Sequence, residues 1–580
     1  MSSIGEMKLA SEVSSRFSRL ARVGIAAAAL ALAALVLAAC GSDSGSDSTS
    51  SGTTGGEATL AQTSQPDFLD PALSYTVNGW EPMWIVYTPL YTYAHAEGEA
   101  GAEVIPGLAE EMPKISADGL TYSMTLRDGL TYSDGQDVVA SDFEHTIKRV
   151  LNLESGGAPF YEVIEGADEY LKSGDPEGDI SGIETDDKTG EITIKLTQPA
   201  ADFTNVLAMN FAGLVPSDTP FKNMTEDPPP GVGPYVITKS IPNREFVMER
   251  RKDFADLGLT DIPNGYIDTL TTEIIKNQSE QTQDVLDNQL DYMQDPPTAD
   301  LKPEVNAKVG PDGSEPQRYA EHPTSSTYYF FMNNDVAPFD DPEVRKAVNL
   351  GLDKVALAKL FAGELAPGCS FLPPGMPGYD EALDTTDCPW GDPNSAPDIA
   401  QAQQMIKDAG AEGAKVTVWG NNDDPTDKVT QEYAAQLNNL GFDATPKIID
   451  GGVYFQTIGD QSTEAQTGFT NWFQDFPHPL NFFFLVDGAT IQPTNNQNFG
   501  NVDDPKINKE VNRLSQEPNL PEVTPDWVEL NRYLVSEGLI APYGHRKLAT
   551  FVSDRIDFGA VVFNPVYYND YTSFQLVDGQ

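Results

Sequence analysis

A chain of 580 residues is too long for a single hydrophobic core and long enough for two to four domains. With 39% hydrophobic and 9% aromatic residues, wholesale disorder is excluded. The formal charge of −52 repels nucleic acid and anionic lipid headgroups, which makes both poor partners, and weakly favours neutral or cationic ligands, although solubility outside the cell accounts for the same charge.

The first element is a leader. Lys8, Arg16, Arg19 and Arg22 precede the run Val23 to Ala39, which holds only Ala, Leu, Val, Ile and one Gly. A basic segment, an apolar stretch and small residues before a cut site make a secretory signal peptide over residues 1–39. The run of about 17 residues reaches only the lower edge of a membrane span. It ends in Leu37-Ala38-Ala39-Cys40, which resembles a bacterial lipobox, whose Cys carries lipid and becomes the first mature residue. That implies an extracytoplasmic protein anchored to the outer face of the cell membrane at Cys40, rather than one free in a periplasm. Residues 41–56, GSDSGSDSTSSGTTGG, contain no large apolar side chain. Such a coil reaches roughly 20–25 Å and reads as a tether between membrane and body.

With Cys40 lipidated, Cys369 and Cys388 remain, an even pair in an oxidising compartment. A disulfide is the expected pairing, stabilising by roughly 3 kcal/mol on the loop-closure scale. The rival is metal ligation, for which two Cys with no nearby His make a poor zinc site.

The body opens with a strand at Ala58-Thr59-Leu60-Ala61, then Phe68-Leu69-Asp70-Pro71-Ala72. An apolar segment from Met83 to Tyr93 follows, closed by Pro89. Tyr122, Met124 and Leu126 alternate with Ser and Thr, the period-two pattern of a half-buried strand. Ser141-Asp142 offers an N-cap to a helix reaching about Leu151. Glu191 to Leu196 alternates as another strand. In the segment from Asp341, the Asp caps and Pro342 takes the first helical position, where its missing N–H costs nothing. Val344, Ala347, Val348, Gly351 and Leu352 form one buried stripe, while Arg345 and Asp353 suit surface or interdomain contacts. Helices over 397–409 and 426–440 stop at Gly410 and Gly441. Lys415 to Trp419 and Phe442 to Thr445 read as strands, so this part is α/β with a mixed sheet.

Several segments come in the order of one family: "FLDPAL", "VYTPLYTY", "IPGLAEEM", "DGLTYSMTLRDGLTYSDG" and "VVASDFEHTIKRV". Gly231-Val232-Gly233-Pro234-Tyr235 followed by Glu249-Arg250-Arg251-Lys252-Asp253-Phe254, and Asp341-Pro342-Glu343-Val344-Arg345 ending at Asp353, continue it. From about residue 57 onward the chain resembles the bacterial extracellular solute-binding proteins of family 5, which include the oligopeptide- and dipeptide-binding proteins of ABC importers. The resemblance implies a two-lobed periplasmic-binding-protein-like α/β fold. It would be the large type II class, with mixed sheets, an extra N-terminal subdomain and a hinge between lobes. The first lobe would comprise 57–91, 204–326 and 546–580, the subdomain 92–203 and the second lobe 327–545.

No motif for catalysis is present: no Gly-x-Ser-x-Gly, no His-Glu-x-x-His, no phosphate-cradling Gly-x-x-x-x-Gly-Lys and no Cys-x-x-Cys. The five His residues have no metal-ligand spacing, so neither metal nor cofactor is expected. The strongest ligand candidate is the aromatic, proline-rich stretch Thr470 to Phe483. The resemblance implies that Asp475, in the place of the Asp of a "W-x-x-D-Y" segment, pairs with a peptide's α-ammonium. A carboxylate in a desolvated cleft suits that task, the alternative being that Asp475 caps a turn. Trp472 and Phe476 would line the cleft, or else belong to the core. Tyr75, Asn78 and Trp80, and Trp419 with Asn421, would border it from loops at strand ends. The expected function is capture of peptides between the lobes and delivery to an ABC permease by a monomer. Another solute, such as a nickel complex or a sugar, is the alternative, and an exported hydrolase a distant one.

Overall fold

A computed structural model describes residues 54–577 except 154 and 424. The leader, Cys40 and the tether as far as residue 53 lie outside the described residues.

Two large sheets organise the body. The first has five strands in the order Tyr292–Met293, Glu57–Gln62, Thr269–Ile274, Glu245–Arg250 and Tyr235–Ile241. Its first three strands are parallel and its last two form an antiparallel hairpin. The second sheet runs Tyr319–Pro323, Ala541–Phe551, Ser326–Met332, Thr467–Phe473, Lys415–Asn421 and Asp443–Ile449, with Leu365–Pro367 also paired to Ala541–Phe551. It is antiparallel on one side and parallel on the other, the mixed sheet expected from the sequence. A smaller antiparallel sheet joins Lys114–Ile115, Thr121–Thr125, Glu191–Lys195 and Ile183–Asp186. In it Tyr122 and Met124 face inward, as their alternation with Ser and Thr requires.

The cores divide accordingly into the two lobes of an α/β fold. Aromatic and aliphatic residues between Ala72 and Ile262 form one cluster, and Tyr328 to Tyr543 form another. Two strand runs belong to both sides. Tyr319, Ala549 and Phe551 pack with Ala61 and Met293 of the first lobe, whereas Phe330, Ala541 and Tyr543 lie in the second lobe's core. The crossing point is at Thr324 and Ser325, where Thr324 N–H donates to the Arg546 carbonyl (3.0 Å). The His545 imidazole lies 2.8 Å from the Ser326 carbonyl.

Several elements differ from their sequence reading. The segment Met83 to Tyr93 is two elements, the end of a helix Val77–Val86 and a strand Tyr91–Tyr93. That helix is buried almost all round, so it shows no apolar stripe by which to recognise it. Asn78 and Trp80 therefore sit on a helix and not in a loop. The helix Ser141–Asn152 has Ala140 at its N-cap with no side-chain cap. Asp142 instead accepts N–H groups from Val139 and Ser217 and the Tyr132 hydroxyl. Arg345, for which a surface or interdomain contact was expected, is buried and donates to the Phe339 carbonyl (2.7 Å), while the partly exposed Asp353 caps the next helix, Lys354–Lys359. The helices Pro342–Gly351 and Thr426–Leu440 match, the first capped by Asp341 and the second closed by Gly441 at φ 108°.

Candidate functional site

The strand Thr467–Phe473 pairs residue for residue with Ser326–Met332 as far as Phe473 opposite Ser326. Gln474 adds one more rung, its N–H donating to the Ser325 carbonyl (2.9 Å). Pro477 and Pro479 cannot donate to a ladder, so the chain then leaves the sheet and re-forms as the short helix Leu480–Phe483.

One side chain clips this bend together. Asn481 Oδ1 accepts the Asp475 N–H (2.8 Å) and the Trp472 indole N–H (3.3 Å). Its Nδ2 donates to the Asp475 carboxylate (2.7 Å). The carboxylate is thereby fixed at the seam between lobes, where it also interacts electrostatically with the Tyr75 phenol of the first lobe. Asp475 is 4% exposed, and burial pushes its carboxyl up to about 7, against the hydrogen bonds from Asn481 and Tyr75. Among the described residues no Lys, Arg or His is ion-paired with it.

Around the carboxylate stand aromatic rings of the first lobe. Tyr75 stacks against Trp80 (centroids 6.0 Å apart) and meets Phe211 edge-on (5.2 Å). Trp80 in turn packs against Tyr567 (5.7 Å) and donates its indole N–H to the Ser74 carbonyl (3.2 Å). Burial above all holds the phenols of Tyr75, Tyr93 and Tyr567 above the usual range, and the field of Asp475 adds to it at each. Phe476 crosses the seam: it belongs to the first lobe's core and lies 5.9 Å from Phe160.

Of the residues singled out in the sequence, Tyr75, Trp80, Asp475 and Phe476 come together here. Trp472 is half-buried against Phe484 (5.1 Å) and reaches the site through Asn481. Asn78 is held by its own lobe, its Nδ2 donating to Ser64. Trp419 lies in the second lobe's core, with the Lys447 ammonium 3.8 Å from its ring centre. Asn421 donates to Asp423 (2.7 Å). Neither belongs to the Asp475 cluster. Cys369 and Cys388 are bonded through sulfur, with Cα atoms 6.0 Å apart.

Sequence reasoning passed over Asn481, Gln474, Phe160 and Tyr567. Asn481 carried one signal, a lone carboxamide within the apolar run Leu480 to Leu485. Tyr567, in the C-terminal tail, carried none. Among the described residues no cluster of His, Cys, Asp and Glu could hold a metal ion, and no helix is long and apolar enough to cross a membrane.

The comparisons with known proteins agree on one family. The profile of the bacterial extracellular solute-binding proteins, family 5 middle region, matches residues 103–493. The oligopeptide-binding protein OppA of Bacillus subtilis is 26% identical over 431 residues, 72% of this chain and 74% of that protein. A dipeptide-binding protein of Escherichia coli is 27% identical over 416 residues, 68% and 72% of the two chains. Among solved structures, clavulanic acid biosynthesis oligopeptide binding protein 2 superposes with a TM-score of 0.82 at 24% identity, covering 91% of this chain and 96% of that one. The Helicobacter pylori protein DppA, in complex with the peptide STSA, gives 0.69 at 18% identity over 90% and 98%.

Proposed function

The chain belongs to the bacterial extracellular solute-binding proteins of family 5, and from that premise we propose that it is the peptide receptor of an ABC importer. One observation carries the reading. A carboxylate, Asp475, is buried between lobes, oriented by Asn481 beside the Tyr75 phenol, and among the described residues no cationic side chain is ion-paired with it. A ligand ammonium supplies that cation and its N–H donors together, and charge-assisted bonds in a water-poor site hold it firmly. The surrounding aromatic rings offer an apolar wall and a face for the positive charge.

The crossing strands near Ser325 and His545 supply the hinge. Residues 57–326 with 546–580 then move as one lobe, carrying the subdomain 92–203, against 327–545. The lobes close on a peptide, and the closed form docks on a membrane permease, with no bond made or broken. Strand-like backbone contacts would accept many sequences. Lipid at Cys40 holds the body at the membrane through the tether, so a Cys40→Ala form is expected in the soluble fraction. Its recovery in salt-washed membranes would contradict the anchor.

The reading is tested at Asp475. Asp475→Asn weakens a free-amine peptide far more than the N-acetylated form of the same peptide, measured by calorimetry. Equal losses for the two ligands would remove the carboxylate from ammonium recognition.

A further inference from the structure

Gln474, one residue before Asp475, has a side chain engaged in a different direction. Its carboxamide nitrogen donates to the Pro565 carbonyl (2.7 Å). Pro565 belongs to the C-terminal tail, whose next residues, Val566 and Tyr567, are buried in the first lobe's core. The strand Thr467–Phe473, which leads into Gln474, belongs to the second lobe's sheet. This hydrogen bond therefore bridges the lobes.

It also fixes the orientation of the carboxamide. A carbonyl can only accept, so the nitrogen must face Pro565 and the oxygen must face away. Gln474 is 2% exposed, and among the described residues no donor reaches its Oε1. A buried acceptor without a donor carries an uncompensated desolvation cost. Other buried oxygens share that condition, but Gln474 alone among them adjoins Asp475 and holds the opposite lobe.

We infer that Gln474 couples ligand capture to lobe closure: its Oε1 accepts an amide N–H of the bound ligand while its Nε2 holds the Pro565 carbonyl across the seam. The inference rests on the reading of Asp475 as the ammonium site and narrows the ligand class. The ligand must carry a cationic amine and, close to it, an amide N–H. A peptide with a free N-terminus has both, whereas a sugar or a simple amine has not.

The test uses trialanine and its analogues N-methylated at the second or third residue, with binding measured by calorimetry and closure by small-angle scattering. On the wild-type protein one N-methyl position costs about 10-fold in affinity, the size of one hydrogen bond. Gln474→Met weakens trialanine by a similar factor and abolishes that position's penalty. Gln474→Met also removes the Pro565 donor, so in that variant the ligand-induced compaction shrinks. Equal binding of all analogues to the wild type overturns the coupling and needs no variant, so it holds even if Gln474→Met fails to fold. An undiminished penalty in Gln474→Met also overturns it. Both outcomes leave the peptide reading standing. Failure of the wild type to bind any of these peptides while binding another solute overturns both.

Discussion

At Asp475, burial opposes charge and two hydrogen bonds favour it, and burial wins, leaving the carboxyl at about 7. The consequence for ligand-free stability has a definite sign. Above the ordinary carboxylate value near 4 the unfolded chain has lost this proton while the folded protein keeps it. The neutral carboxyl's contribution is thus complete below pH 4 and is lost as pH rises through 7. Wild-type protein should therefore lose stability relative to Asp475→Asn as pH rises from 4 to 7, by about 1.4 kcal/mol for each tenfold fall in proton concentration. Urea melts at several pH values check this, and a constant difference between the two proteins would contradict it. Ligand binding has the opposite slope. An ammonium needs the carboxylate, so affinity for a free-amine peptide should rise between pH 5 and 7 with release of a proton, seen by calorimetry in buffers of different ionisation heat. Asp475 drew notice because the resemblance puts it in the place of the Asp of a W-x-x-D-Y segment, and the structure buries it at the seam. Asn481 and Gln474 were not legible, because their roles arise from a bend that brings residues six apart together and from a tail about ninety residues further on.

Element by element, the sequence spoke most clearly where one face is buried. The alternation at Tyr122 and Met124, and the stripe of Val344, Ala347 and Val348, map directly onto a sheet face and a helix face. The helix Val77–Val86 stayed hidden because both of its faces are buried. Helix Ser141–Asn152 is anchored by a contact that no periodicity reveals. Arg149 forms a two-pronged ion pair with Asp70 (3.0 and 2.8 Å), both fully buried, which ties the segment after the first strand to this helix. Asp70→Ala should cost about 3–5 kcal/mol, since it strands a buried guanidinium. A urea melt showing a loss of less than about 1 kcal/mol would contradict that account. The disulfide Cys369–Cys388 closes a loop that also carries Asp384, and this carboxylate accepts the N–H groups of Cys369 (2.6 Å) and Ser370 (2.8 Å). Burial alone would raise Asp384, but His545 at 3.1 Å and those donors hold it at about 2. The loop is thus fastened to the crossing strand, and replacing both Cys by Ser should cost roughly 3 kcal/mol under oxidising conditions.

For the molecule as a whole, the two lobes meet at the strands that cross near Ser325 and His545 and at the seam contacts of Tyr75, Phe160 and Gln474. The acidic chain, with a formal charge of −52, adds a weak attraction for cationic ligands, which salt should screen. Ligand identity is the central claim. Native mass spectrometry of the protein, purified without exchange of whatever its cleft carries, tests it most directly. Peptides with free N-termini, lost on Asp475→Asn, are the expected adducts. A sugar, a metal chelate or another amine-free solute occupying the wild-type protein would contradict the account.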